Sequence, residues 1–189
     1  MSAFKPDPDP SRNAYLDRMA FPWALYADGY YKAAALLINQ CETFYDRNTL
    51  IYPIVFLYRQ HIELVLKEFI LDGNRYRQSS MLPQAHHNLV RLWQLCMEVI
   101  RERSLPVSSA HIRIIDKVVR EFNDYDPSSE AFRYPVTKRG VRSLASVEVP
   151  LSIRGLAQTM EEFEGCLRNL DALLDADISL QREFSWENY

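Results

Sequence analysis

Four side chains between positions 59 and 87 carry the acid–base chemistry that this sequence could perform: Arg59, His61, Glu63 and His87. Arg59 and Glu63 stand one helical turn apart, the spacing at which opposite charges meet on a helix. A histidine titrates near neutrality and can carry a proton. An arginine keeps its charge and can stabilise a negative charge that develops in a reaction. The same Arg59–Glu63 spacing also suits a buried ion pair whose role is to fix helix orientation. On a regular helix His61 points about 160° away from Glu63, so one chain alone does not bring both to one site, although a second copy could. His86 and His87 stand where a helix begins, at a terminus that favours anions. One of them can bind phosphate or act as acid and base; the other use of such a residue is to cap the helix or pack under Trp93. Adjacent histidines point in different directions, so at most one belongs to any site.

A second constellation is Phe132-Arg133-Tyr134-Pro135, an arginine set between aromatic residues. Arg133 and Tyr134 could stack on a base or clamp a phosphate. Alternatively the arginine stem packs between two rings and its head meets the acidic end of the chain. Neither His-x-x-x-His nor Glu-x-x-His occurs, so the spacings that place two metal ligands on one helical face are missing. There is no Gly-x-Ser-x-Gly, no Gly-rich nucleotide loop and no Cys-x-x-Cys. No metal and no cofactor is expected.

The element that must position most of these residues is NTLIYPIVFLYRQHIELVLKEFILDG, residues 48–73. It is apolar almost all round a helical projection, as a membrane span or the central helix of a bundle would be. Arg59, Glu63, Lys67 and Glu68 exclude an ordinary span, because charges at mid-bilayer are costly. The pattern predicts a buried helix with two thin polar seams: Arg59, Glu63 and Lys67 on one side, with Gln60 beside them, and His61, Glu68 and Asp72 roughly opposite. Asn48 or Thr49 is expected to cap it, with Pro53 in its first turn and Gly73-Asn74 as a left-handed C-cap.

Around that helix, residues 1–13 are expected to be a disordered or loosely docked tail, rich in proline. A short helix interrupted near Pro22 follows, and Asp28-Gly29 opens an alanine-rich amphipathic helix. Leu89, Leu92, Cys96, Val99 and Ile100 mark the buried face of the helix after His87, and Ser108 or Ser109 caps the next one, which buries Ile112, Ile115, Val119 and Phe122. Residues 130–149 break helical periodicity and could hold a short strand or hairpin; the alternation of Leu144, Ser146 and Glu148 is part of that expectation. Ile153, Leu156, Met160, Phe163, Leu167, Leu170 and Leu174 recur at spacings of 3 and 4, which suits packing on the central helix or a homodimer seam. Residues 179–189 form a tail that Phe184, Trp186 and Tyr189 could anchor. The expectation is therefore an all-α bundle of about five main helices, one domain over residues 14–178, with one irregular segment near residues 125–149.

At 189 residues the chain suits one well-buried domain. Five glycines disfavour sheet-rich folds with many tight turns. The polar, proline-rich start does not resemble a signal peptide, which makes the cytoplasm the default expectation, with no membrane partner. Cys41, Cys96 and Cys166 are odd in number and far apart, as reduced core thiols would be. The net charge of −3 conceals an asymmetry: −2 over residues 1–72, +5 over 73–145 and −6 over 146–189. Arginine supplies 17 of the 22 basic residues, the side chain suited to bidentate contacts with phosphate or carboxylate. The basic middle either pairs with the acidic end or meets nucleic acid.

Three stretches together, YRQHIELVLKEFI, HHNLVRLW and EFNDYDPSSEAFRYP, resemble a bacterial branch of the HEPN-like helical domains. The resemblance covers roughly residues 45–175. It implies a compact four- or five-helix bundle that dimerises, and a link to RNA or nucleotide handling. It also implies a possible metal-independent endoribonuclease of toxin–antitoxin or phage-defence systems; other members bind nucleotides or partner proteins without cleaving. Catalytic members carry an arginine followed after four to six residues by a histidine. That spacing is absent: Arg103 and His111 have seven residues between them and straddle Pro106. An active version would need a divergent site drawn from Arg59, His61, Glu63, His87 and Arg133. The alternative is a non-catalytic dimeric module that binds a partner protein.

Overall fold

The computed structural model describes residues 5–15, 22–74, 87–145, 147 and 150–186. Five α-helices account for the architecture, and no strand occurs among the described residues: α1 (Pro22–Asn39), α2 (Phe44–Asn74), α3 (Leu89–Glu102), α4 (Ser109–Tyr125) and α5 (Ile153–Trp186). The all-α bundle is as expected. α2 is its centre, packed against α1, α3 and α5, while α4 closes the bundle against α3 and α5. No helix among the described residues is long and apolar enough to cross a membrane.

α1 is described from Pro22 onward. It runs through Asp28-Gly29 without the expected restart, with Asp28 paired one turn on to Lys32 at 2.5 Å. Buried Ala27 and Ala34 are small enough to let α1 lie close to its neighbours.

α2 starts at Phe44, earlier than its apolar run suggests. Thr43 and Asp46 cap it reciprocally: Asp46 N donates to Thr43 Oγ1 at 3.0 Å and Thr43 N donates to Asp46 Oδ2 at 3.2 Å. Asn48 and Thr49, the expected caps, instead donate from their side chains to the carbonyls of Phe44 and Tyr45. Pro53 therefore lies inside the helix. The expected left-handed cap at Gly73 also differs. Gly73 is helical, and glycine is required there because a Cβ would stand 2.4 Å from Val99 Cγ1, where α2 and α3 meet. Arg103 binds there, donating from Nε and Nη2 to the Gly73 carbonyl at 2.9 and 2.7 Å and from Nη1 to Asp177 at 2.5 Å. His111 lies elsewhere, its Nδ1 3.1 Å from Asn169 Oδ1.

Asn88 and Ser108 cap α3 and α4. The expected buried faces are present, with Trp93 and Val118 added and Ile112 only partly covered. On α5, Met160, Phe163, Leu167, Leu170 and Leu174 are buried within this chain. The heptad seam is therefore filled by the bundle's own helices and is not an open face for a second copy. The helix continues to Trp186, past the expected boundary at 178.

Residues 126–145 form turns, with one isolated antiparallel bridge between Val136 and Arg142 closed by Gly140 at φ 76°. The segment runs back along the first half of α2: Ser129 meets Gln60, and Arg133 lies over Phe56. Buried Phe132 anchors it. His86, Ser146, Glu148, Tyr189 and the side chains of Phe184 and Trp186 lie outside the described part of the chain.

Candidate active site

The first polar seam of α2 is a single connected network. Arg59 is fully buried and donates in three directions: Nε to the Asp126 carbonyl at 2.8 Å, Nη1 to Glu63 Oε2 at 3.0 Å and Nη2 to the His87 carbonyl at 2.5 Å. One guanidinium thus fixes the middle of α2, the entry to α3 and the exit of α4 relative to one another. With no exposed surface, it positions other groups and does not meet a ligand. Asp126, also buried, shapes the turn that follows: its Oδ1 accepts from the backbone N–H of Glu130 at 2.8 Å and of Ala131 at 3.0 Å. Gln60 Nε2 donates to Ser129 Oγ at 2.7 Å and holds the same turn against α2. Ser129 takes a left-handed φ of 61° there.

Glu63 collects the rest. Its carboxylate, 3% exposed, accepts from Arg59, from Lys67 Nζ at 2.6 Å and from His87 Nδ1 at 3.0 and 3.2 Å. Burial alone would raise this carboxyl. The hydrogen bond and charge of Lys67, the hydrogen bond of Arg59 and the charge of His87 more than offset that and hold it below the ordinary carboxylate value. Glu63 is therefore an anion at neutral pH. An anion facing Nδ1 keeps the hydrogen on that nitrogen, so that when the ring gives up its second proton Nε2 is the proton acceptor. The His87 side chain is 60% exposed. The arrangement is an accessible imidazole oriented by a buried carboxylate, with the Lys67 ammonium on the same carboxylate oxygen. Such an arrangement suits a general base next to a cation.

The second seam is built the other way round. His61 is buried, with Nδ1 2.9 Å from the Ala27 carbonyl and Nε2 in close contact with Glu164 Oε1. The Tyr31 ring covers it at 5.2 Å. Both ring nitrogens face oxygen, so the His61–Glu164 contact must hold a proton between its partners. This pair ties α1, α2 and α5 together, and His61 does not approach Glu63. Further along, α5 carries Asp171, whose carboxyl is pushed up to about 7 by desolvation and then by Glu68, Asp175, Glu164 and Asp72. The residue itself is exposed, and the neighbouring carboxylates crowd its charge.

Arg133 donates from Nε to the Ser129 carbonyl at 2.6 Å, and its guanidinium lies 5.6 Å from the Phe56 ring centre and 5.4 Å from that of Tyr134. Among the described residues it has no partner on α5. Tyr134 is 54% exposed. The structure thus joins Arg59, Glu63 and His87, adds Lys67 and Asp126, places Arg133 and Tyr134 further along the same side of α2, and leaves His61 out. Lys67 was detectable as the residue four beyond Glu63. Asp126 was not, because Asp-Pro-Ser-Ser signals a turn and nothing more. Among the described residues no group of three or more His, Cys, Asp or Glu side chains is placed to hold a metal. No protein-family model matches the chain, and no curated protein or solved structure matches it either.

Proposed function

We propose that this protein handles RNA and cleaves it at His87, with no metal in the chemical step. The observation that carries the reading is the exposed imidazole of His87 hydrogen-bonded to the buried, ionised Glu63. In the proposed step His87 Nε2 removes the proton of a ribose 2′-OH. The 2′-oxygen attacks the adjacent phosphorus and the P–O5′ bond breaks. The products are a 2′,3′-cyclic phosphate and a 5′-oxygen that takes a proton from Lys67 or from water. Lys67 faces the charge that grows on the phosphate, while Arg133 and Tyr134 offer a guanidinium and a ring to a neighbouring base or phosphate. Arg59 acts through Glu63 and the His87 backbone. The resemblance to HEPN-like domains agrees in substrate class, although the arrangement of residues is this chain's own. The test is incubation of the purified protein with RNA in EDTA. Cleavage leaving cyclic phosphate ends, lost in His87→Ala at unchanged circular dichroism, supports the proposal. Intact RNA with the wild-type protein contradicts it.

A second reading, a non-catalytic module that dimerises or holds a partner protein, is favoured by exposed Leu25, Tyr26 and Leu36 on α1 and by Tyr45 on α2. Light scattering on the wild type and on Leu36→Glu tests it: a dimer that the substitution converts to monomer supports this reading, and a monomeric wild type removes the dimer.

A further inference from the structure

Beside the segment that carries Arg133, two depressions of about 550 and 600 Å³ lie next to each other and share Tyr52, Phe132 and Leu144 as walls. The first is lined by Arg133, Tyr134 and Arg142, the second by Phe44, Arg47 and Arg154. Four arginines thus face the two depressions, while no described aspartate or glutamate lines either one. That is a strong bias in a chain whose acidic residues outnumber its basic ones by 25 to 22. Three aromatic rings on the rim stand open to solvent: Phe44 at 77%, Tyr52 at 48% and Tyr134 at 54%. Arg47 is steadied by donating to the Glu42 carbonyl at 2.7 Å, and Arg133 by Ser129. Arg142 and Arg154 have no side-chain partner among the described residues.

Cations alternating with exposed rings suit a flexible polyanion whose flat groups can splay onto the rings, which describes a single-stranded nucleic acid. We infer that the two depressions seat single-stranded RNA, running from the His87 site past Arg133–Tyr134 and Tyr52 toward Phe44 and Arg154; the inference rests on the RNA reading of His87 and extends it. The dimensions fit. Along the α2 axis Phe56, under Arg133, lies about 10 Å from Glu63 and about 18 Å from Phe44. The second distance is close to five stacked nucleotides at about 3.4 Å each, and to fewer when bases splay. Aromatic stacking tolerates any base, so the seat reads strandedness and not sequence.

The experiment is fluorescence anisotropy of labelled oligoribonucleotides with the His87→Ala protein, which removes cleavage without touching the seat. Affinity should rise with length to about five nucleotides and then level off. Arg142→Glu and Arg154→Glu should each weaken binding at least tenfold and make it less salt-dependent, because each removes a phosphate contact. Tyr52→Ala should weaken it at least fivefold, and a duplex of the same sequence should bind at least tenfold more weakly than the single strand. Affinities within twofold of the parent for all three variants would overturn the seat. So would equal binding of polyphosphate, which has no bases, or of an acidic peptide. The two proposals fail separately: normal cleavage by the three variants leaves the His87 reading standing without the seat, whereas tight single-strand binding with an inert wild type leaves the seat and removes the cleavage.

Discussion

α2 contributes one member of a histidine–glutamate pair on each of two faces, and the two pairs are mirror images in exposure. On one face the carboxylate of Glu63 is buried and the His87 side chain is 60% exposed; on the other His61 is 4% exposed and the Glu164 side chain is 19% exposed. A histidine behind protein atoms can only join helices. A histidine in front of a buried, ionised carboxylate can exchange a proton with something that arrives. The same two residue types are thus placed for different work, according to which partner faces water.

Four substitutions sharpen that contrast. The largest effect on stability is expected for Arg59→Leu. It leaves the buried Glu63 charge with one cation fewer and orphans the carbonyls of Asp126 and His87, a loss of about 3–5 kcal/mol, measured by urea unfolding. His61→Ala should follow, at about 1–3 kcal/mol. Because the loss concerns helix attachment, RNA cleavage per folded molecule should remain within about twofold of the wild type.

Glu63→Gln keeps the shape and removes the charge. A general base typically contributes about 10²–10⁴-fold, and cleavage should fall by about 10²-fold because His87 remains but loses its orienting anion. The pH dependence of stability checks the same group. A carboxyl held below its ordinary value of 4.5 adds stability that is present above that value and is lost as the pH falls through the folded-state value. The acid limb of a pH–stability curve should therefore be shallower in Glu63→Gln.

The smallest effect is expected for Asp171→Asn and has the opposite sign. A carboxyl raised from 3.8 to about 7 favours the folded state least when ionised, so stability falls as the pH rises from about 4 through 7. The substitution should raise the melting temperature at pH 8 and change little at pH 4. Discounted for the exposure of this residue, the gain is about 1 kcal/mol.

Periodicity made much of this legible. The all-α bundle, the buried face of α3 and the separation of His61 from Glu63 all follow from 100° per residue and a few caps. The start of α2 and the role of its Gly73 did not, for local reasons. At Thr43–Asp46 a reciprocal cap lies upstream of the apolar run that marks the helix. At Gly73 the need for glycine comes from Val99 on another helix, which no pattern in residues 70–76 encodes. The site was legible only in part. Arg59, Glu63 and Lys67 share a stripe that a helical projection displays, whereas His87 and Asp126 reach it from 24 and 63 residues beyond Glu63 through backbone carbonyls and turn geometry. The heptad of α5 left two partners open, the chain itself or a second copy, and packing filled the seam from within.

The most direct test measures melting temperature and RNA cleavage in EDTA side by side for His87→Ala and His61→Ala. The account predicts a crossed result: His87→Ala melts within a few degrees of the wild type and loses at least 10²-fold in cleavage, while His61→Ala melts well below it and still cuts. If both variants lose stability and cleavage in parallel, or if His87→Ala cuts as the wild type does, the exposed histidine is not the reacting one and both pairs are structural.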